Sequence, residues 1–324
     1  MVRALFFVLL VLPAFATANT TLKISTLYPA GTYAVEQLRA ASAAMAAETE
    51  GRVRLQIYPG GVMGDDQAVL RRIRIGQLDG LVAQSGAISH LHGDLQLYNL
   101  PFLFDSVADV DRLRAEWDSK LLARLSTLGW QGFGPIDGGF AYIMSQEPIE
   151  DQSDLNAARL WVPANSTAPL FAQALGLRPI SLPIGEVLTS LSTGGIDSIV
   201  SPVPAALTLQ WHSRVEYLLN QPIIYTYALV LLSERSFRTI SEADRAVVHR
   251  ILTAYAADMD QRSRQDNNAA FAAIGQQDVN IMSSNEQIKA ELLSARSRVY
   301  QILHDEGALS DEGLDAALNF ISTL

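Results

Sequence analysis

The side chains able to do chemistry are few: five histidines and no cysteine occur among 324 residues. His90 and His92 in SHLHGD form an H-x-H pair with Asp94 close by, the beginning of a metal or hydrolytic set. Such a site needs a third nitrogen ligand or a nucleophile at a recognised spacing, and none follows. AQSGA at 83–87 departs from the G-x-S-x-G nucleophile elbow. GGVMGDD at 60–66 lacks the G-x-G-x-x-G spacing and continues into Asp65 and Asp66, whose charges would repel a phosphate. No catalytic residue, metal or cofactor is therefore expected. The conspicuous group that remains is Trp161 in RLWVP, at the end of a short strand, before Pro163 and a helix opened by Ser166. Strand ends that feed helices are where α/β proteins hold ligands.

Those residues need elements to position them. TLKISTLYP predicts a strand, and AVEQLRAASAAMAAETE a helix with Val35, Leu38 and Met45 on one face. In GRVRLQIYP, Val53, Leu55 and Ile57 alternate with Arg52, Arg54 and Gln56, the pattern of a half-buried strand. A glycine-rich turn, the helix QAVLRRIRIG and the apolar strand GLVAQSG follow. This βαβαβ order predicts a parallel sheet. At an offset of 118 the pattern recurs: Val69, Leu70, Ile73, Gly76, Leu78 and Asp79 meet Val187, Leu188, Leu191, Gly194, Ile196 and Asp197. Two such α/β units predict two lobes.

Between and beyond them, a helix is expected around ADVDRLRAEWDSKLLARLSTLG and a strand around FAYIMS. PIIYTYALVLLSE at 222–234 is too apolar for a linker and suits a strand passing between lobes. A long helix capped by Ser241, the short strand DVNIMS and two further helices complete the chain. The expected division is 19–141 with 222–255 as the first lobe, and 142–221 with 256–324 as the second. Lobes joined by several crossings hinge rather than tumble.

The chain is 49% apolar with a formal charge of −10, so it can build a large core and has no basic surplus for nucleic acid or anionic membranes. Arg3, the apolar run from Ala4 to Leu12 and Ala16-Thr17-Ala18 have the form of a secretory signal peptide over 1–18. The run is too short for a membrane span. An exported, periplasmic protein is expected.

VRLQIYPGGVMGDDQAVLRRIRIGQLDG, YNLPFLF, DLNAARLWVP and LPIGEVLTSLSTGGIDSIVSPV together resemble the substrate-binding proteins of tripartite ATP-independent periplasmic (TRAP) transporters. The likeness runs in order along nearly the whole mature chain. It implies a two-lobed periplasmic-binding-protein fold of the α/β class, with interlobe strands, a long bridging helix and a small-molecule ligand enclosed between the lobes. It also implies integral-membrane permease subunits as partners, and in the branches that take hydrophobic ligands a tetratricopeptide-repeat partner protein. The resemblance places ligand contacts at Gln84 and Ser85, at Asp65 or Asp66, at Ser201, and in the LYPAGTY connection with Tyr28 and Tyr33. Trp211 follows the Ser201 loop as a further aromatic wall residue.

The chain departs from the family pattern where it matters most. The usual K-I-R-V-P carries an arginine that grips the ligand carboxylate; here Trp161 stands in its place. Arg159 shares its strand face but lies about 6.6 Å away. A second arginine of some members falls at Phe140, and their metal-holding Glu-Trp pair at Val200 and Ser201. A carboxylate drawn into a closed site loses hydration, a cost of several kcal/mol that a paired cation must offset. Indole supplies an apolar face and one N–H instead. The expected ligand is therefore uncharged or largely apolar, with a cationic ligand stacked on the ring as the next option. The alternatives are an organic acid held by Arg159 or another arginine, a hydrolase using His90, His92 and Asp94, and a sensor or scaffold.

Overall fold

The computed structural model describes residues 19–164 and 166–323, so the expected leader at 1–18 lies outside the described residues. β1 (Thr20–Thr26), α1 (Tyr33–Glu48), β2 (Val53–Tyr58), α2 (Asp66–Arg74) and β3 (Gly80–Gln84) form the first α/β unit, with β2 and β3 both parallel to β1. Val53 and Leu55 are buried while Arg54 and Gln56 are exposed, as the alternation requires. After α3 (Ser85–Ile88), α4 (Val107–Thr127) leads into β4 (Trp130–Ser145).

The second unit comprises α5 (Gln152–Ala157), β5 (Leu160–Trp161), α6 (Ala168–Ala174), α7 (Ile184–Thr193), β6 (Ser198–Pro202) and α8 (Val203–Thr208). The chain then returns through β7 (Tyr217–Ser233) to α9 (Glu234–Phe237), α10 (Glu242–Ile274), β8 (Asn280–Ser283), α11 (Glu286–Asp305) and α12 (Asp311–Ile321). One sheet joins both units in the order β2-β1-β3-β7-β4-β6-β5, with β8 paired to β7. β4 and β7 run antiparallel through its middle and carry the chain between lobes.

The internal recurrence is structural. β3 spans 80–84 and β6 spans 198–202, the same residues at the offset of 118. The preceding helices each end at a glycine with positive φ, 80° at Gly76 and 75° at Gly194, the left-handed geometry a helix stop favours. The aspartates of both copies do the same work. Asp79 accepts from the Lys23 backbone N–H of β1 at 2.8 Å, and Asp197 accepts from the Arg159 N–H beside β5 at 2.8 Å.

Two differences from expectation concern the crossing. The strand expected around FAYIMS is much longer, because β4 absorbs the glycine-rich segment before it and tolerates register shifts between Phe133 and Ile136, Asp137 and Gly139, and Ala141 and Ile143. The C-terminal helices touch both halves: α11 packs on α6, while α12 lies against the 93–99 turn and its Glu312 pairs with Lys120 of α4 at 2.8 Å.

The 33-residue α10 is about 50 Å long at 1.5 Å per residue. Val248, Ile251, Leu252, Tyr255, Ala256 and Met259 enter the core of the first lobe, and Ala270 and Ile274 that of the second. The polar stretch between them, from Asp260 to Asn267, lies where the helix passes β4. On the opposite face of the sheet one continuous core contains α4, α6, α11 and α12.

Candidate ligand cleft

β3 and β6 flank the crossing strands β7 and β4, with β1 and β5 one place further out. The residues beyond their ends are the candidates for ligand contact. On the first-lobe side, the glycine turn is laced to the β1 exit: Gly60 N–H donates to Tyr28 O at 2.8 Å and Gly61 N–H to Thr26 O at 3.1 Å. Asp65 then caps α2, its Oδ1 accepting from Ala68 N–H at 2.7 Å. This brings Asp66 beside Gln84 at the end of β3 and near the half-buried Tyr28. Asp66 is only 7% exposed. Burial pushes its carboxyl up to about 6, the Gln84 backbone N–H opposes the shift and the Asp65 charge adds to it. Gln84 is exposed and Ser85 buried. Tyr33 lies apart from this group: its hydroxyl donates to Asp258 of α10 at 2.9 Å, and the Arg262 guanidinium lies 5.0 Å from its ring centroid.

Where α10 passes β4 lies a buried polar network that sequence reasoning missed. Asp137 of β4 accepts from the Tyr225 hydroxyl at 2.9 Å and Asn267 Nδ2 at 3.0 Å, with Arg264 Nε 3.8 Å away. Its own N–H donates to Asp260 at 2.8 Å, and Asp260 pairs with Arg114 of α4 at 2.7 Å and Arg264 at 3.1 Å. Burial raises the Asp137 carboxyl, while the Tyr225 and Arg264 partners oppose the rise. Gly139 adopts a φ of 81° and runs so close to Asn267 that a Cβ there would collide with its amide. Phe140 stacks edge-on against Tyr225 at 5.5 Å and is half-buried. The usable signals were the Gly138-Gly139 pair and the polar interruption in an otherwise amphipathic helix.

The second-lobe side alters the expectation for the tryptophans. Trp161 is 2% exposed; its indole N–H donates to Leu182 O at 3.1 Å, and its ring meets Trp211 edge-on at 5.2 Å. Both rings sit in the second-lobe core with Val187, Leu191 and Ile199. They are packing residues in this structure, not an open aromatic wall. The physical reason is strand parity: Trp161 pairs with Ile199, and both side chains face the layer that α7 and the 211–214 turn cover. Ser201 is 2% exposed, with its hydroxyl donating to Pro202 O at 3.0 Å.

The Arg159 guanidinium, just before β5, pairs with Asp197 at 3.0 Å. The arginines that do approach the crossing, Arg114 and Arg264, are held by the carboxylates already named.

The histidine set also has a structural explanation. His92 Nδ1 accepts from Asp94 N–H at 3.1 Å, and fully buried Asp94 accepts from Ser310 N–H at 2.9 Å and Ser310 Oγ at 2.8 Å while pairing with Arg124. His90 is exposed. Asp94 thus anchors α12, and among the described residues no three His, Cys, Asp or Glu side chains converge as a metal-binding group.

Two α/β units sharing a sheet, crossed by two strands and a bridging helix, with polar groups gathered at the crossing, define a two-lobed solute-binding protein. The chain belongs to the bacterial extracellular solute-binding protein family 7, which matches residues 24–306, and to the TRAP periplasmic receptors within that description. It is 23% identical over 249 residues to the sialic acid-binding periplasmic protein SiaP of Vibrio cholerae, covering 75% of this chain and 77% of the relative. It is 26% identical to the 2,3-diketo-L-gulonate-binding periplasmic protein YiaO of Escherichia coli over 62% of each chain. Its fold superposes on a TRAP periplasmic solute-binding protein from Ochrobactrum anthropi with a TM-score of 0.83 at 19% identity, covering 95% and 96% of the two chains. A second such protein, from Haemophilus influenzae with bound L-gulonate, gives 0.82 at 17% identity, covering 94% and 100%. The family consists of receptors rather than enzymes, and membership implies a ligand, a membrane permease and a location outside the cytoplasm.

Proposed function

We propose that this protein captures a small, uncharged or largely apolar organic molecule by hinge closure and delivers it to TRAP permease subunits. The observation that carries the reading is the missing carboxylate clamp: Trp161 occupies the clamp's place with its N–H committed to Leu182, and Arg159 is committed to Asp197. An anion entering the cleft would lose its hydration without gaining a free guanidinium. Contacts are assigned to Asp66, Gln84 and Ser85 on the first lobe, Phe140 of β4 and Ser201 on the second. Tyr33 is engaged by Asp258, and Trp161 and Trp211 pack in the second-lobe core, so none of the three is assigned a ligand contact. The lobes are assigned as 19–141 with 222–259 and 142–221 with 260–324, the expected boundary at 255 moving along α10 because Ala256 and Met259 pack in the first-lobe core; export is assigned to residues 1–18, and the accessory partner to a tetratricopeptide-repeat protein.

A second reading has a specific finding in its favour. The Haemophilus influenzae neighbour holds L-gulonate, and a Chromohalobacter salexigens neighbour with a TM-score of 0.82 holds D-glucuronate, both organic acids. A thermal-shift panel of sugar acids, dicarboxylates, alcohols and apolar compounds separates the two readings. A ligand at 100 times its dissociation constant stabilises the fold by about 2.7 kcal/mol. Shifts with neutral compounds are expected, and shifts confined to acids would overturn the assignment.

A further inference from the structure

Four aspartates are buried among the described residues: Asp66, Asp94, Asp137 and Asp244. Three of them have a basic partner. Asp94 pairs with Arg124, Asp244 takes Arg52 Nη2 at 2.9 Å, and Asp137 has Arg264 Nε at 3.8 Å together with Tyr225 and Asn267. Asp66, 7% exposed, has no lysine or arginine within ion-pair distance among the described residues. It also lies beside Gln84, where β3 ends, and close to Tyr28, just beyond β1.

A carboxylate removed from water is unfavourable unless a cation or several donors face it. The start of α2 offers a favourable dipole, and the Gln84 backbone N–H supports one oxygen, yet burial still dominates and raises the carboxyl to about 6. At neutral pH the group is therefore mostly ionised and without a counter-charge. Tyr28 stands beside it with a half-buried ring, and Gln84 brings an exposed amide. A carboxylate, a phenol ring and an amide at one strand end suit a protonated nitrogen, which the aromatic face also attracts.

We propose that Asp66 is the counter-ion for a protonated nitrogen on the ligand, so that the solute is a largely apolar amine whose charged end enters the first lobe. The proposal rests on the reading of the chain as a solute receptor without an arginine clamp, and it narrows that reading to one chemical class. It also accounts for a cleft that gives up a fixed cation yet keeps a buried acid.

The test uses the full mature chain and matched probes: 2-phenylethylamine, 2-phenylethanol and phenylacetate, with butylamine, butanol and butyrate as a smaller set. Thermal shift and isothermal titration at pH 7.5 are run on the wild type and on Asp66→Asn, which keeps the shape and the helix start. The amine of each set is expected to bind at least tenfold more tightly than its alcohol, with the acid weakest. Asp66→Asn is expected to erase the amine preference, bringing amine and alcohol of each set to equal affinity. Equal binding of amine and alcohol, an amine preference that survives in Asp66→Asn, or no amine response at millimolar concentration would overturn the counter-ion assignment alone. Response to the acids alone would overturn both this assignment and the uncharged-ligand reading. Native mass spectrometry of receptor isolated from its own periplasm gives an independent answer, since a co-purified solute lacking a basic nitrogen contradicts the proposal.

Discussion

At the scale of single residues, Trp161 shows what position can and cannot say. That RLWVP has a tryptophan where the resemblance implies an arginine was legible, because it depends only on residue type in a recognisable frame. The ring's destination was not, because it depends on which layer covers that strand face, and α7 and Trp211 fill that layer from sequence far away. Trp161→Phe leaves the Leu182 carbonyl without its donor and reduces the packed volume, and should cost about 1–3 kcal/mol in urea unfolding. Trp161→Arg should destabilise more strongly still, since it buries an unpaired charge. Asp66 gives a pH signature. Its folded carboxyl stands at about 6, above the ordinary aspartate value of 3.8, so the folded state binds the extra proton in that interval. Its contribution thus favours folding at pH 4 and is lost as pH rises through 6, by about 2–3 kcal/mol. Asp66→Asn should flatten that part of a stability-against-pH curve and leave the protein equally or more stable at pH 7.5.

At the scale of elements, the duplicated helix-to-strand units were legible because they repeat an apolar stripe, a glycine stop and an aspartate. The aspartate recurs for a reason that the pattern did not reveal: it ties the start of its strand to the neighbouring parallel strand. The full extent of β4 was hidden, since glycine and proline in GFGPIDGG carry turn signals that the tertiary setting overrides. The polar stretch of α10 was visible as residues but not as a network, because its partners Asp137 and Arg114 lie on other elements. Asp260→Ala should leave Arg114 and Arg264 short of a carboxylate and lower stability by about 2–4 kcal/mol. Gly139→Ala should also destabilise, by about 2 kcal/mol, through its positive φ and its contact with Asn267. Chemical denaturation measures both.

At the scale of the whole molecule, the lobes are continuous with a single sheet, and the register shifts of β4 against β7 are concentrated between Phe133 and Ile143. Hydrogen exchange should be faster in the amides of 134–142 than in the equally buried strands on either side, and a bound solute should slow it. Absence of that contrast would count against hinge closure at the crossing. A regular ladder resists bending because every rung must stretch together, whereas a strand with missing rungs can take up the strain locally. The proposed hinge closure would thus place its flexure in the stiffest layer, so that the jaws would swing while both halves keep their cores intact.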